Sequence, residues 1–372
     1  MQIAFRADAS IEIGTGHVMR CLTLADALTE RGHQCIFICR ELQGHLGSLI
    51  TNKGYSVHLL PLSLPSSISA LQLNTIEAQS SKTELLPRHS TWLGVSWQQD
   101  AAQTIDAIQS SIIDWLIVDH YALDFRWQNA CQPYYSKLAI IDDLADRQHI
   151  SNLLIDQTYN RNPSDYEMLT PKASTLLCGA EYALLRPEFA QWREHSLNRR
   201  RTPELNHILV NLGGMDKDNI TGQILTGIDK SHLKTGITIT VVMGQNAPHK
   251  DSVIQQAKMM ECSCKVLCGV NNMAEIMANS DLAIGAAGST SWERCTLGLP
   301  TIMLVLAENQ TKIASSLAEA GACLISYSSQ PEVIKNLVST ITPKLMSRLS
   351  KVSQQIADGC GVNTVLVQLE SL

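Results

Sequence analysis

Met1-Gln2-Ile3-Ala4-Phe5-Arg6-Ala7-Asp8-Ala9-Ser10-Ile11-Glu12-Ile13-Gly14-Thr15-Gly16-His17-Val18 is the stretch that decides the fold class. Residues 2–5 form an apolar run that reads as a buried strand, and Gly14 and Gly16 mark the loop that follows. Beyond the loop, Val18, Cys21, Ala25 and Leu28 recur at helical spacing, and Gly32 after Arg31 reads as the stop. Strand, glycine loop and helix are the opening unit of a parallel α/β sheet. A loop of this kind feeding a helix start offers free backbone N–H groups to an anion and lets a ligand come close. It is not the full G-x-G-x-x-G fingerprint. No acidic residue follows in a suitable context about twenty positions on, so a dinucleotide site is weakly supported.

His17 begins the helix. The positive end of the helix dipole disfavours imidazolium there, which suits the ring to accepting a proton. A polar residue that merely caps or packs is the plainer alternative. The chemical reading gains from Arg6, Asp8 and His17 all converging on the carboxyl end of one strand.

Outward from this unit the same rhythm continues. Candidate strands lie near residues 2–5, 35–39, 56–60, 114–118, 137–141 and 152–156, then near 206–212, 237–243, 264–268, 281–285, 300–305 and 322–326. Asn198-Arg199-Arg200-Arg201-Thr202-Pro203 between the two sets reads as a basic linker. The expectation is two Rossmann-like doubly wound domains, 1–200 and 201–372, facing one cleft where the carboxyl ends of both sheets meet. Residues 62–110, rich in Ser, Gln and Thr, interrupt the rhythm and read as an insertion.

A chain of 372 residues suits two domains of ordinary size. A net charge of −6 argues against a general binder of nucleic acid or membrane surfaces, since no positive field gathers phosphates. No apolar run approaches the roughly 18–20 residues needed to span a bilayer, and the N-terminus reads as a strand with no signal peptide. The 11 scattered cysteines then suggest reduced, buried thiols in the cytoplasm. Cys262, Cys264 and Cys268 lack the common zinc spacing and a second ligand pair, and read as structural.

In the second half, residues 281–300 give a strand, a small-residue turn Gly288-Ser289-Thr290, a short helix, Gly298 and Pro300. The turn could cradle a diphosphate on exposed N–H groups and hydroxyls. Glu293, one turn in, could accept both ribose hydroxyls of a nucleotide. Thr290-x-x-Glu293 is also a capping box, and the local sequence favours that reading. Gly213-Gly214-Met215-Asp216 ends the strand at 206–212 with small residues near the cleft. Asn309-Gln310 opens the helix of Ile313, Leu317 and Ala320, where Asn309 is either an N-cap or a substrate contact.

Asp119-His120-Tyr121 and Asp142-Asp143 end two first-domain strands. Neighbours on a strand point to opposite faces, so Asp142 and Asp143 could share a metal only from a loop. Sugar hydrogen bonding or loop structure is the favoured reading.

With these motifs in place, the chain resembles the UDP-2,4-diacetamido-2,4,6-trideoxy-β-L-altropyranose hydrolases of pseudaminic acid biosynthesis. The residues that carry the resemblance are Arg6–Ser10, Ile13–Cys21, Asp119-His120-Tyr121, Ile141-Asp142-Asp143, Asp156-Gln157-Thr158 and Tyr182–Phe189. Gly213-Gly214-x-Asp216, Gly288–Glu293 and Glu308-Asn309-Gln310 continue it in order, so that it spans residues 1 to about 330. Trp92-Leu93-Gly94-Val95-Ser96-Trp97 looks like the longer members and has no assigned role. The family is similar in fold to the glycosyltransferase-B enzymes, the N-acetylglucosaminyltransferase that makes lipid II above all.

The resemblance implies that His17 is the general base and that Tyr121 and Asn309 contact substrate. It turns Glu293 from cap into UDP ligand. Arg6, Asp8, Gly16, Asp143, Gly214, Asp216, Gly288, Ser289, Thr290 and Gln310 complete the expected substrate contacts. It implies a small-molecule UDP-sugar as partner, no cofactor and no metal; a monomer is compatible with this reading, and the oligomeric state and the use of a separate acceptor stay open. The implied reaction is C–O cleavage at the anomeric carbon with inversion. A glycosyltransferase, a UDP-sugar 2-epimerase and a non-catalytic nucleotide-sugar sensor are the rival readings.

Overall fold

The structure is a computed structural model, and it describes residues 1–62, 86–231, 233–234 and 236–372. The contacts divide the chain into two units, Met1–Leu184 with Val362–Leu372, and Leu185–Gly361.

In the first unit the strands are β1 (Gln2–Ala7), β2 (Gln34–Arg40), β3 (Ser56–Leu60), β4 (Trp115–Asp119), β5 (Lys137–Ile141), β6 (Leu153–Asp156) and β7 (Thr175–Cys178). They pair in parallel in the order β3-β2-β1-β4-β5-β6-β7. The chain leaves β1 for β2 on one side and returns through β4 on the other, so the topology switches between β1 and β4. Such a point leaves a crevice at the carboxyl ends of the two strands. All six strands expected here are present. β7 is the one that the sequence reading missed, because Thr175-Leu176-Leu177-Cys178 is only four residues long.

Both faces of this sheet are covered, as a parallel sheet requires. Alternation along β1 sends Ile3, Phe5 and Ala7 to one face with Val18, Cys21, Leu22 and Ala25 of the helix Gly16–Glu30. Ala4 goes to the other face with Leu116, Val118, Ala101, Ile105 and Trp127. The helix Trp97–Ile108 on that second face begins at Ser96, whose hydroxyl accepts from Gln99 N. This helix is the crossover into β4, so the latter part of the segment expected as an insertion belongs to the core. Residues 63–85 of that segment lie outside the described residues.

The second unit contains β8 (His207–Asn211), β9 (Thr238–Met243), β10 (Ser263–Cys268), β11 (Leu282–Ala286), β12 (Thr301–Leu304) and β13 (Leu324–Ser326), all parallel, in the order β10-β9-β8-β11-β12-β13. The six expected strands are again present. The switch here falls between β8 and β11.

The boundary between the units differs from the expected split at residue 200. Helix Pro187–Arg199 is part of the second unit, and the basic stretch after it is not a solvated linker. Arg199 pairs with Asp281 at 2.6 Å. Arg200 is buried and donates to the carbonyls of Gly298, Met277 and Ser280. Planar guanidinium forks suit carbonyl groups that a helix end leaves unpaired, which is why Arg200 reads as linker and packs as core, while Arg199 stays half-buried. The last helix, Gly361–Ser371, belongs to the first unit. There Val362, Val365, Leu366 and Leu369 join the core of Ile3 and Phe5, and Glu370 pairs with Arg31. No helix among the described residues is long and apolar enough to cross a membrane.

Candidate functional site

The switch between β1 and β4 places two groups opposite each other. Asp119 is the last residue of β4, and His17 lies in the first turn of the helix that follows β1. His17 Nδ1 lies 2.6 Å from Asp119 Oδ1. Arg20, one turn further on the same helix face, donates Nε to Asp119 Oδ2 at 2.6 Å and Nη2 to Oδ1 at 2.7 Å. Its Nη1 donates to Asp143 Oδ2 at 2.6 Å, and the Tyr121 hydroxyl donates to the same oxygen at 2.6 Å.

Electrostatics fixes the roles. Burial alone would push the Asp119 carboxyl up, but the Arg20 guanidinium and His17 outweigh it and hold the group well below the usual carboxylate range. An ionised carboxylate only accepts, so the proton of a neutral His17 ring sits on Nδ1 and the lone pair on Nε2. No described residue hydrogen-bonds Nε2. Burial first, and Asp143 after it, raise the Tyr121 hydroxyl well above its ordinary value, which keeps it a donor. The Tyr121 ring meets the His17 ring edge-on, with centroids 4.6 Å apart. Arg147 lies 5.7 Å over the Tyr121 ring from another side. The result is an imidazole gripped at one nitrogen and along one edge, with its basic nitrogen unpartnered among the described residues.

Arg6 and Asp8 are not part of this arrangement. Arg6 lies on the opposite face of the sheet from the helix that carries His17. Its guanidinium pairs with both oxygens of Asp8 and both of Asp100. Asp8 also accepts from Arg40 N at 2.7 Å, and His120 Nε2 lies 3.1 Å from its other oxygen. Ala122 N donates to His120 Nδ1, so that ring carries its proton on Nε2 and turns it toward Asp8. Arg6, Asp8 and Asp100 are fully buried. The expectation that Arg6 and Asp8 converge with His17 is therefore corrected: side chains alternate along a strand, and these two are spent on a core ion network.

Tyr121 and Asp143, expected as substrate contacts, bond each other and Arg20 through the Tyr121 hydroxyl and Asp143 Oδ2, which braces the surroundings of His17, while Asp143 Oδ1 has no partner among the described residues. Gly16 opens the helix, and its amide and that of His17 have no partner among the described residues. Sequence reading passed over Asp119 and Arg20 as site residues. The signals were present: an acid ending an apolar strand, and an arginine three residues after the histidine.

In the second unit, Gly288-Ser289-Thr290 forms a half-buried turn after β11. The amides of all three residues lack partners among the described residues. A Cβ on Gly288 would meet nothing within 4 Å, so the turn opens onto free space. Helix Thr290–Thr296 has no side-chain cap, and the capping box favoured by local sequence is not formed. Glu293 is half-buried, and no described residue hydrogen-bonds its carboxyl. Burial pushes this carboxyl up, with Arg186 and Arg294 opposing and Glu188 adding to the rise.

Asp216 is committed: its two oxygens accept from Ile220 N at 2.8 Å and Thr221 N at 3.0 Å, so it caps the helix Ile220–Asp229. Expected as a substrate contact, Asp216 is in the structure a brace for this helix start. Gly214 lies where its carbonyl would stand 2.1 Å from a Cβ on Gly244, which explains two small residues there. Asn309 sits in the short turn Glu308–Gln310 after β12, half-buried, with no capping bond to the helix Thr311–Glu319. Gln310 Oε1 accepts from Leu306 N at 3.0 Å and so braces its own loop. β8, β11 and β12 are neighbours, so these loops share one edge of the sheet.

The family model of the glycosyltransferase family 28 C-terminal domain matches residues 207–359, within the second unit. The chain is 26% identical over 322 residues to the UDP-2,4-diacetamido-2,4,6-trideoxy-beta-L-altropyranose hydrolase of Campylobacter jejuni, covering 86% of this chain and 97% of that protein. It is 23% identical over 314 residues to the uncharacterized protein MJ1062 of Methanocaldococcus jannaschii, covering 83% of this chain and 57% of that longer protein. The crystal structure of Acinetobacter baumannii MurG matches with a TM-score of 0.67 at 15% identity, over 100% of this chain and 99% of that one. The two parallel-sheet α/β units thus have the glycosyltransferase-B-like fold.

Proposed function

We propose that this protein is an enzyme acting on a UDP-sugar, and that it hydrolyses UDP-2,4-diacetamido-2,4,6-trideoxy-β-L-altropyranose to UDP and the free sugar. The observation that carries this reading is the His17–Asp119 pair, with Nδ1 held by a buried carboxylate and Nε2 free. The match to the Campylobacter jejuni hydrolase along 97% of its length supports the choice of substrate.

In this mechanism His17 Nε2 takes a proton from water as the water attacks the anomeric carbon. The C–O bond to UDP breaks on the opposite face, with inversion. Asp119 stabilises the imidazolium that forms, and Arg20 keeps Asp119 ionised and in place. The open turn Gly288–Thr290 takes the diphosphate on its free amides, and Glu293 takes the ribose hydroxyls. A diphosphate leaves with little acid assistance, so one base suffices.

The test is phosphorus NMR of the purified protein with this UDP-sugar in ¹⁸O-water, without acceptor. UDP release with ¹⁸O on the sugar is expected. Labelled UDP would mean attack at phosphorus and would remove His17 from the role given to it. A second reading, transfer of the sugar to an acceptor, is favoured by the glycosyltransferase match over residues 207–359. It predicts no release in water alone and turnover once an acceptor is supplied.

A further inference from the structure

Beside His17 stands an aromatic side chain that the mechanism above does not use. Trp92 lies in the short turn Ser90–Leu93, within the segment to which sequence reading gave no role. Its ring centroid is 6.2 Å from that of His17, at 73°, and 5.8 Å from that of Tyr121, nearly parallel at 28°. His89 packs on it at 4.4 Å. Tyr121 is buried, whereas Trp92 is half-buried.

The turn is pinned by other means. Leu93 is buried among Ile38, Leu60, Ala101 and Ile105. Gly94 closes the turn at φ +67°, where a Cβ would stand 2.9 Å from Leu62 Cδ2. Anchoring therefore does not need the indole, and part of its aromatic surface stays accessible in the neighbourhood of the base.

We infer that Trp92 is the platform for the sugar, with the C–H face of the pyranose ring packed on the accessible part of its indole. The inference rests on the UDP-sugar reading above. Attack through a water on His17 Nε2 places the anomeric carbon within about 3–3.5 Å of that water. A pyranose ring bearing that carbon is then within reach of the neighbouring indole, whose centroid lies 6.2 Å from that of His17. The polar groups around His17, namely Asp119, Arg20, Asp143 and the Tyr121 hydroxyl, bond one another, with Asp143 Oδ1 left without a partner among the described residues. Apart from that one acceptor, what this wall offers a sugar is apolar contact, which suits a deoxy sugar bearing methyl and acetamido groups. Trp92 acts by positioning and specificity and takes no part in proton transfer.

The test compares Trp92, Trp92→Phe and Trp92→Ala, each in a His17→Ala background that does not turn the substrate over, in calorimetric binding of UDP and of the diacetamido UDP-sugar, with initial rates of the same three proteins carrying His17 in parallel. The expected result is UDP affinity unchanged in both variants. UDP-sugar affinity falls about tenfold or more in Trp92→Ala and is largely kept in Trp92→Phe, with the loss in KM and little in kcat. Equal UDP-sugar affinity with Trp92 and with Trp92→Ala overturns the platform and leaves the hydrolase reading intact. Equal losses of UDP and UDP-sugar overturn it too, since Trp92 then serves the nucleotide or the fold. A loss confined to kcat makes Trp92 a support for His17 and likewise overturns it. UDP-sugar that binds wild type without being cleaved overturns hydrolysis, while the affinity difference still decides for or against Trp92.

Discussion

His17 Nδ1 and Asp119 Oδ1 are 2.6 Å apart although 102 residues separate them in the chain. The parallel sheet makes this contact by setting β4 beside β1, so that the loop after one strand meets the end of the other. The same contact leaves Nε2 as the basic atom of the ring, and the predictions start there.

Replacing His17 by Ala is expected to lower kcat by on the order of 100-fold or more while UDP still binds. Rate assays and calorimetry on the same preparation check this. Near-wild-type turnover would take His17 out of the reaction.

Asp119→Asn is expected to lower kcat by on the order of 100-fold or more, because an amide can donate to Nδ1 and move the ring proton to Nε2. A variant that folds, binds UDP and keeps full kcat would show that the tautomer is irrelevant.

Acid stability follows from the same carboxylates. Asp119, Asp8 and Asp142 are held well below their ordinary values: burial pushes each up, and Arg20, Arg6 and Arg147 respectively outweigh it. A depressed folded pKa gives stability that is present above the unfolded value of about 3.9 and is lost as pH falls through the folded one. The urea midpoint is therefore expected to drop steadily below pH ~4. A midpoint constant from pH 6 to pH 3 would contradict the pairing.

Asp100→Ala should cost about 3–5 kcal/mol of stability, since it leaves the buried Arg6 and Arg40 short of their shared partner. Denaturant unfolding reads the loss. KM per folded molecule is expected to be unchanged. A raised KM with little loss of stability would return Arg6 to the substrate.

Glu293→Gln is expected to weaken UDP binding about tenfold, with stability changed by less than about 0.5 kcal/mol, because the carboxyl has no partner to lose among the described residues. Gly288→Ala should fold normally and bind UDP less well. Gly285→Ala should fold poorly, because a Cβ there would stand 2.2 Å from Arg294 Nη1 and 2.7 Å from Asn211 O. Equal stability of these two alanine variants would mean that the crowding at Gly285 relaxes freely.

Much of the fold was legible because parallel strands buried on both faces read as apolar runs, and twelve such runs stood between glycine and proline marks. β7 escaped for want of length. The site was half legible. The glycine loop, His17 and the Gly288 turn are local patterns, whereas the roles of Arg6, Asp8 and Asp216 depended on partners remote from the motif or competing with it.

The sequence by itself determined the strand rhythm, the loop after β1 and the helix that carries His17, since periodicity and turn chemistry act over a few residues. Only the tertiary structure decided which face of the sheet each polar residue reached. Arg6 lies eleven positions before His17, yet side-chain alternation along β1 sends it to Asp100 and away from the site. Arg20 and Asp119, from separate elements, come together because strand order places their ends side by side. Those pairings decide which charges are spent and which atom stays free, and they are properties of packing that no local window contains.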